Sequence, residues 1–326
     1  MMRRRKFLLL GMSAVAAPRQ ALAQEQYPNR PIRLVIPSVP AGVHDVIGRL
    51  WAQRVKPVLG TIVIDNRGGG GGIIGANDVA HAQPDGYSIL LGSTSTQVLS
   101  PAGMAQPPYD PVKSFTGVSV FSFSSTSIVV NPTVPVHSLM ELIAYAKVNP
   151  SKLSYGSAGN GSITNMAGEL FKRLAGGLDI VHIPYKGTGQ GVSDLISGII
   201  PMFSANATAQ VLDLARAGKV RILSVNSAER IKAAPEIPTS TEAGLPGMVA
   251  QTTFAIFAPA GTPTAIVARL DAATQQVMAD EDFQKQLLNL GFEPVRGVGG
   301  EKTTELFKDE LVRWTPILKA GSVRPE

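Results

Sequence analysis

Short, continuously apolar runs alternate with helical patterns along most of this 326-residue chain. Strands are expected at 32–36, 61–65, 88–92, 127–130, 152–156, 179–183, 199–203, 221–225 and 254–258. Helices are expected between most of them, at 46–58, 73–81, 139–149, 164–175, 191–197, 209–217, 263–279, 281–290 and 301–319. Gly176-Gly177, Gly198 and Gly218 stand where helix C-caps fall, a position that often needs a left-handed residue. Strands without polar alternation are covered on both faces, and with helices between them they build parallel sheets. The fold class that follows is α/β.

Two stretches break the rhythm. Residues 93–127 are rich in Ser, Thr and Pro without a strong period, and 247–253 is a second polar stretch before the last expected strand. Between them lies a self-contained β-α-β-α-β-α-β run. The chain is therefore expected to build part of domain one (24–126), cross a hinge into domain two (127–251), and return to domain one (252–326). Such sheets bind ligands at the carboxyl ends of their strands, so both domains would face one cleft.

Residues 1–23 read as an export leader. Arg3-Arg4-Arg5-Lys6 is a basic front, 7–17 an apolar middle, and Ala21-Leu22-Ala23 a small-x-small cleavage site. Arg4-Arg5-Lys6-Phe7-Leu8 also fits a twin-arginine pattern, so either the general or the twin-arginine export route is open. The apolar run is too short to span a bilayer, and a soluble periplasmic protein is expected. The leader also accounts for the charge. The whole chain carries 30 Lys and Arg against 24 Asp and Glu; without the leader it carries 25 against 24. A nearly neutral mature chain gives no support to nucleic-acid binding. With no cysteine there are no disulfides and no thiolate chemistry.

The motifs favour binding over catalysis. Ile32–Ile36 runs into a turn punctuated by Pro37, Pro40 and Gly42 before a helix opens near Asp45, and a helix N-terminus offers unpaired N–H groups to an anion. Gly70-Gly71-Gly72-Ile73-Ile74-Gly75 matches the G-x-G-x-x-G dinucleotide fingerprint, yet the next strand ends in Ser and Thr, with no acidic residue to hold a ribose. The glycine run is read instead as a βα loop needing φ > 0 or close approach. A second strand-to-helix loop, 155–165, carries the hydroxyls of Ser157, Ser162 and Thr164, though Ser162 or Thr164 would equally serve as a helix cap. After later strands come Tyr185 and Lys186, with Lys186 either facing a carboxylate or simply solvated, and then Asn206. His44, His81, His137 and His182 show no ligand spacing, so no metal is expected, and no cofactor. A secreted hydrolase using Ser157 or Ser162 would lack both a G-x-S-x-G elbow and a positioned base.

These blocks together resemble a known family. They include Tyr27-Pro28-Asn29-Arg30-Pro31-Ile32, Asp65-Asn66-Arg67 before the glycine run, Pro84-Asp85-Gly86-Tyr87, and Tyr155-Gly156-Ser157-Ala158-Gly159-Asn160-Gly161-Ser162. His182-Ile183-Pro184-Tyr185-Lys186-Gly187, Pro238-Thr239 with Glu242-Ala243-Gly244, 258–263 and Arg313-Trp314 complete the set. The chain resembles the Bug-type extracytoplasmic solute receptors of tripartite tricarboxylate transporters over essentially the whole mature sequence. The resemblance implies a two-domain periplasmic binding protein of type II, the Venus flytrap, with two parallel-rich sheets joined by two hinge crossings. It implies a monomeric receptor, not an enzyme, that closes on a small carboxylate and presents it to a membrane permease or, alternatively, to a membrane sensor.

By that resemblance the binding positions are Pro40, Ala41, Gly42, Val43, His44, Asp45, Ser93, Thr94, Ser157, Gly159, Asn160, Gly161, Ser162, Thr164, Tyr185, Asn206 and Thr253. One departure stands out. The family's first loop usually reads Pro-Gly-Gly-Ser/Thr-Thr/Ser-Asp, whereas this chain has Pro40-Ala41-Gly42-Val43-His44-Asp45. Val43 and His44 are therefore expected to face or rim the pocket and move its preference toward a more apolar or aromatic carboxylate. His44 would donate to the anion, with a nearby carboxylate favouring its protonated form.

Overall fold

The computed structural model describes residues 27–320, so the expected leader and its cleavage site lie outside the described residues. The chain opens with β1 (Ile32–Ile36), α1 (Val43–Leu59) and β2 (Ile62–Asn66), then a 3₁₀ turn of Gly70–Gly72 that enters α2 (Ile73–Ala80). Next, β3 (Ser88–Ser93) leads into a π-helical turn (Ser95–Leu99), which continues as the short α3 (Ser100–Ala102) before β4 (Phe115–Val130). The middle of the chain is α4 (Leu139–Val148), β5 (Leu153–Ser157), α5 (Ile163–Leu174), β6 (Ile180–Pro184), α6 (Thr188–Ser197), β7 (Met202–Asn206), α7 (Ala209–Arg216) and β8 (Arg221–Val225). It ends with β9 (Gln251–Pro259), α8 (Thr264–Met278), α9 (Glu281–Asn289), β10 (Glu293–Gly299) and α10 (Gly300–Ala320).

The strands form one continuous sheet in the order β2-β1-β3-β9-β4-β7-β5-β6, with β8 and β10 also paired to β4. Its outer parts are parallel as expected: β1 pairs with β2 and β3, and β5 with β6 and β7. The centre is antiparallel, because β9 returns against both β3 and β4. Helices cover both faces. Ile32, Leu34 and Ile36 pack with Ile47 and Trp51 of α1 and Leu270 of α8, while the intervening Val35 packs with Ala76 and Val79 of α2. That two-sided burial is why β1 has no polar alternation.

Two expectations change here. The stretch read as irregular, 93–127, contains most of the 16-residue β4. Many of its hydroxyls are compatible with a buried strand because they donate to neighbouring carbonyls: Ser122 to Glu293, Ser124 to Gly291, Thr126 to Ala250 and Ser127 to Ala205. Two register shifts along its pairing with β9 further blur the period-2 signal. The second change is β10, which the sequence pattern did not reveal; it pairs with β4 around an irregularity between Pro294 and Val298.

Strand β4 joins the two halves of the molecule. Residues up to Ser125 pair with β9, and from Thr126 onward the strand pairs with β7 and β8. At the changeover, Thr126 N–H donates to Ala250 O, Asn226 N–H to Thr126 O, and Ala250 N–H to Asn226 O. Three chain segments thus tie to one another at a single point.

Candidate functional site

Four helices, α1, α2, α5 and α6, aim their N-termini at one cavity of about 620 Å³ lying between the two halves. A helix N-terminus carries roughly half a positive charge on its unpaired N–H groups. How far each terminus remains available depends on what its own loop already bonds.

The α1 terminus is open. Its N-cap is Gly42, which has no side chain to accept from the first turn. The preceding Ala41 sits at φ 62°, a left-handed position for a residue with a Cβ, and its N–H donates to Asp45 Oδ2 at 2.8 Å. Asp45 also accepts from Arg49 Nε at 2.9 Å and Asn66 Nδ2 at 2.9 Å, so its carboxylate is buried and turned away from the cavity. Burial would raise its pKa, but the bonds from Arg49, Ala41 and Asn66 outweigh that and hold it below the usual carboxylate range. Pro40 and Ala41 lie exposed on the lip; Gly42, Val43 and His44 line the cavity.

His44 differs from the sequence expectation in its charge. Nε2 lies 2.9 Å from Ser93 Oγ, and the ring stands edge-on to Phe254 with centroids 5.1 Å apart. Burial pushes its pKa down to about 4. What surface it keeps faces the enclosed cleft. The adjacent carboxylate, Asp45, is engaged elsewhere, so His44 is neutral near pH 7.

The glycine run forms a wall rather than a loose loop. Gly69, Gly70, Gly71 and Gly72 all have positive φ, and all five glycines line the cavity. A Cβ on Gly71 would come within 2.5 Å of Ser100 Oγ and 3.0 Å of Asn160 O, an atom of the opposite half. The 3₁₀ turn also engages the α2 terminus, since Gly72 N–H donates to Gly69 O and Ile73 N–H to Gly70 O.

Across the cleft, most N–H groups of the loop before α5 are already engaged. Ser162 Oγ caps the helix by accepting from Asn165 N–H, and Ile163 N–H crosses to Ser95 Oγ at 3.1 Å. The N–H groups of Ala158, Gly159 and Gly161 go to Thr164 Oγ1, Ser157 Oγ and Asn165 Oδ1. Gly159, Asn160, Ser162 and Thr164 line the cavity, whereas Ser157 and Gly161 sit behind them. The open terminus of this half belongs to α6: its N-cap, Gly187, also lacks a capping side chain, and Gly187 and Thr188 line the cavity. An added Cβ on Gly187 would lie 3.5 Å from Val39 Cγ2, so the two open termini stand on facing lips.

Several expected positions support the wall from behind. Ser93 N–H donates to Thr96 Oγ1, and Thr94 Oγ1 accepts from Thr253 N–H. It is Thr252, not Thr253, that lines the cavity, bonded to Asn206 at 3.1 Å. Alternation along β9 explains this, since a one-residue offset moves a side chain to the opposite face. Tyr185 lines the cavity with its hydroxyl donated to Asp194, and burial followed by that bond raises its pKa to about 12. Ser95, Ser100 and Met104 are lining residues the sequence pattern did not single out. The positive-φ glycines were the available signal for the run opposite them.

Ser157 does have a histidine partner: His182 Nε2 lies 2.7 Å from its Oγ. Burial lowers the His182 pKa to about 4, with Glu169 and Lys172 acting in opposite directions. Yet Ser157 is fully buried and its Oγ also accepts from Gly159 N–H, so it holds the loop rather than facing the cavity. No group of three or more His, Cys, Asp or Glu among the described residues is placed to hold a metal.

A family model described as tripartite tricarboxylate transporter family receptor matches residues 47–323. The chain belongs to that receptor family. A Pseudomonas sp. (strain P51) protein of the tcbD-tcbE intergenic region is 34% identical over 97% of this chain and 94% of its own. BugT of Bordetella pertussis is 32% identical, covering 96% of this chain and 94% of its own. Among solved structures, a protein of R. palustris with adipate superposes with a TM-score of 0.86 at 32% identity, over 92% of this chain and all of that one. MatC from Rhodopseudomonas palustris with bound malate superposes at 0.83 and 30% identity, over 90% of this chain and all of that one. The tripartite tricarboxylate receptor fold is thus a two-domain solute-binding fold, and members of the family are receptors rather than enzymes. The buried Ser157–His182 pair of this receptor belongs to its scaffold.

Proposed function

We propose that this protein captures a small carboxylate in the cleft by hinge closure and delivers it to a tripartite tricarboxylate-type permease from the periplasm, after export and removal of residues 1–23. The observation that carries this reading is the pair of uncapped N-termini, α1 and α6, presented to one cavity from opposite halves. An anion between them is attracted by both, so its binding favours the closed arrangement. The relatives solved with adipate and with malate support a carboxylate as the anion. No helix among the described residues is long and apolar enough to cross a membrane.

The ligand-contacting set is proposed as Gly42, Val43, His44, Gly159, Asn160, Ser162, Thr164, Tyr185 and Asn206, with the glycine run, Gly187 and Thr252 added. The hinge is proposed at Thr126, Asn226 and Ala250, which places the domain boundaries at the changeover in β4 and just before β9. A thermal-shift screen of the mature protein tests the reading, since a ligand that binds only the folded state raises the midpoint by mass action. At least one carboxylate is expected to raise it while the matching alcohol or amide does not. No response to mono-, di- or aromatic carboxylates would overturn the assignment.

A further inference from the structure

The cavity walls say more about the ligand than its charged end, provided the carboxylate reading holds. Among the described lining residues, Lys186 is the one basic side chain, and no Asp or Glu is present. Apolar side chains line much of the remainder: Val39, Val43, Ile73, Met104 and Ile163, with the ring of Tyr185. His44 adds an aromatic edge without a charge, since burial keeps it neutral near pH 7.

The charge that would favour a second carboxylate is not spread along the cavity, since Lys186, beside Gly187, is the one basic lining side chain among the described residues. The glycine run spans the cavity from Gly68, beside Ser38 and Val39, to Gly71, beside Ser100 and Asn160. At the Gly71 end, Ser100 Oγ donates toward Gly71 O and Gly161 O, whereas Ser95 Oγ accepts from Ile163 N–H and keeps its own O–H. Of the helix ends there, α5 is capped by Ser162, while in α2 the 3₁₀ turn takes up only the first N–H, that of Ile73. The uncapped N-termini of α1 and α6 sit instead at the facing lips, where Val39 and Gly187 nearly touch. Burying a second carboxylate among Ile73, Met104 and Ile163, with no cation beside it, would cost it more hydration than the few hydroxyls there replace.

We infer that this receptor takes a monocarboxylate with an apolar or aromatic body, its carboxylate held at the α1 and α6 lips and its body against Val43, His44, Ile73, Met104 and Ile163. At about 620 Å³ the cavity accommodates a ring-sized body.

Calorimetric titration of the full mature protein with benzoate, cyclohexanecarboxylate, malate, adipate and benzyl alcohol tests this. Benzoate or cyclohexanecarboxylate is expected to bind at least tenfold more tightly than malate or adipate, and benzyl alcohol not detectably. In Val43→Ser, loss of apolar contact should weaken benzoate about tenfold and leave malate nearly unchanged. Tighter binding of malate or adipate to the native protein would overturn the monocarboxylate inference while leaving the carboxylate reading intact. Equal binding of benzyl alcohol and benzoate, or no binding of any acid, would overturn both.

Discussion

His44 and His182 belong to different halves of the cleft and share one electrostatic property. Burial holds each near pKa 4, against an ordinary value of 6.5. Between those values the unfolded chain binds more protons than the folded one, so stability rises with pH across this window. It is fully present above about 6.5 and is lost as pH falls toward 4. The groups facing His182 are Ser157, Tyr155, Asn165, Glu169 and Lys172. The unliganded protein's melting midpoint should therefore climb from pH 4 to 6.5 and then level off, with a shallower climb in His182→Gln. An unchanged slope in that variant, followed by scanning calorimetry, would remove His182 from the account. Asp45 gives a second residue-scale prediction. Its carboxylate fixes the left-handed Ala41, so Asp45→Ala should lower stability in urea denaturation by about 1–2 kcal/mol, the usual cost of a lost helix-start acceptor. The sequence marked Asp45 as part of the first loop. Its inward or outward aim was decided by Arg49 and Asn66, the latter on β2 and 21 residues away.

At the scale of elements, the glycine run and β4 show what a linear pattern carries. Five successive glycines announce a backbone that needs positive φ, and four of them have it. That Ser100 and Asn160 crowd Gly71, from a π-helical turn's continuation and from the other half, is a tertiary fact. Gly71→Ala would add a Cβ at φ 64° facing an atom of the opposite half. Carboxylate affinity should fall about tenfold by titration, with a backbone strain of about 1 kcal/mol accompanying it. If affinity held while the melting midpoint dropped, the wall would be structural only. In β4 the run of Ser and Thr hid a strand, because sequence hydropathy does not reveal that a hydroxyl will find a carbonyl on the adjacent strand. Ser122 and Ser124 find theirs near β10, more than 160 residues further along the chain.

For the whole molecule, three chain segments bond to one another at Thr126, Asn226 and Ala250, the proposed hinge, and the facing lips approach each other at Val39 and Gly187. Such a joint permits rigid-body closure with few torsions changing. Small-angle scattering should show a smaller radius of gyration with a binding carboxylate than without, and Thr126→Val, which removes the hydroxyl bonded to Ala250 and Asn226, should lower stability by about 1–3 kcal/mol. The sequence by itself determined the α/β class, most strands and helices, the loops that line the cavity and the family, because periodicity, helix caps and turn chemistry are local properties. The tertiary structure alone decided which helix ends stay open, which hydroxyls are engaged, whether His44 is charged and which side of β9 faces the cavity. Each depends on partners distant in the chain, and hydrogen-bond saturation and burial are properties of the assembled neighbourhood.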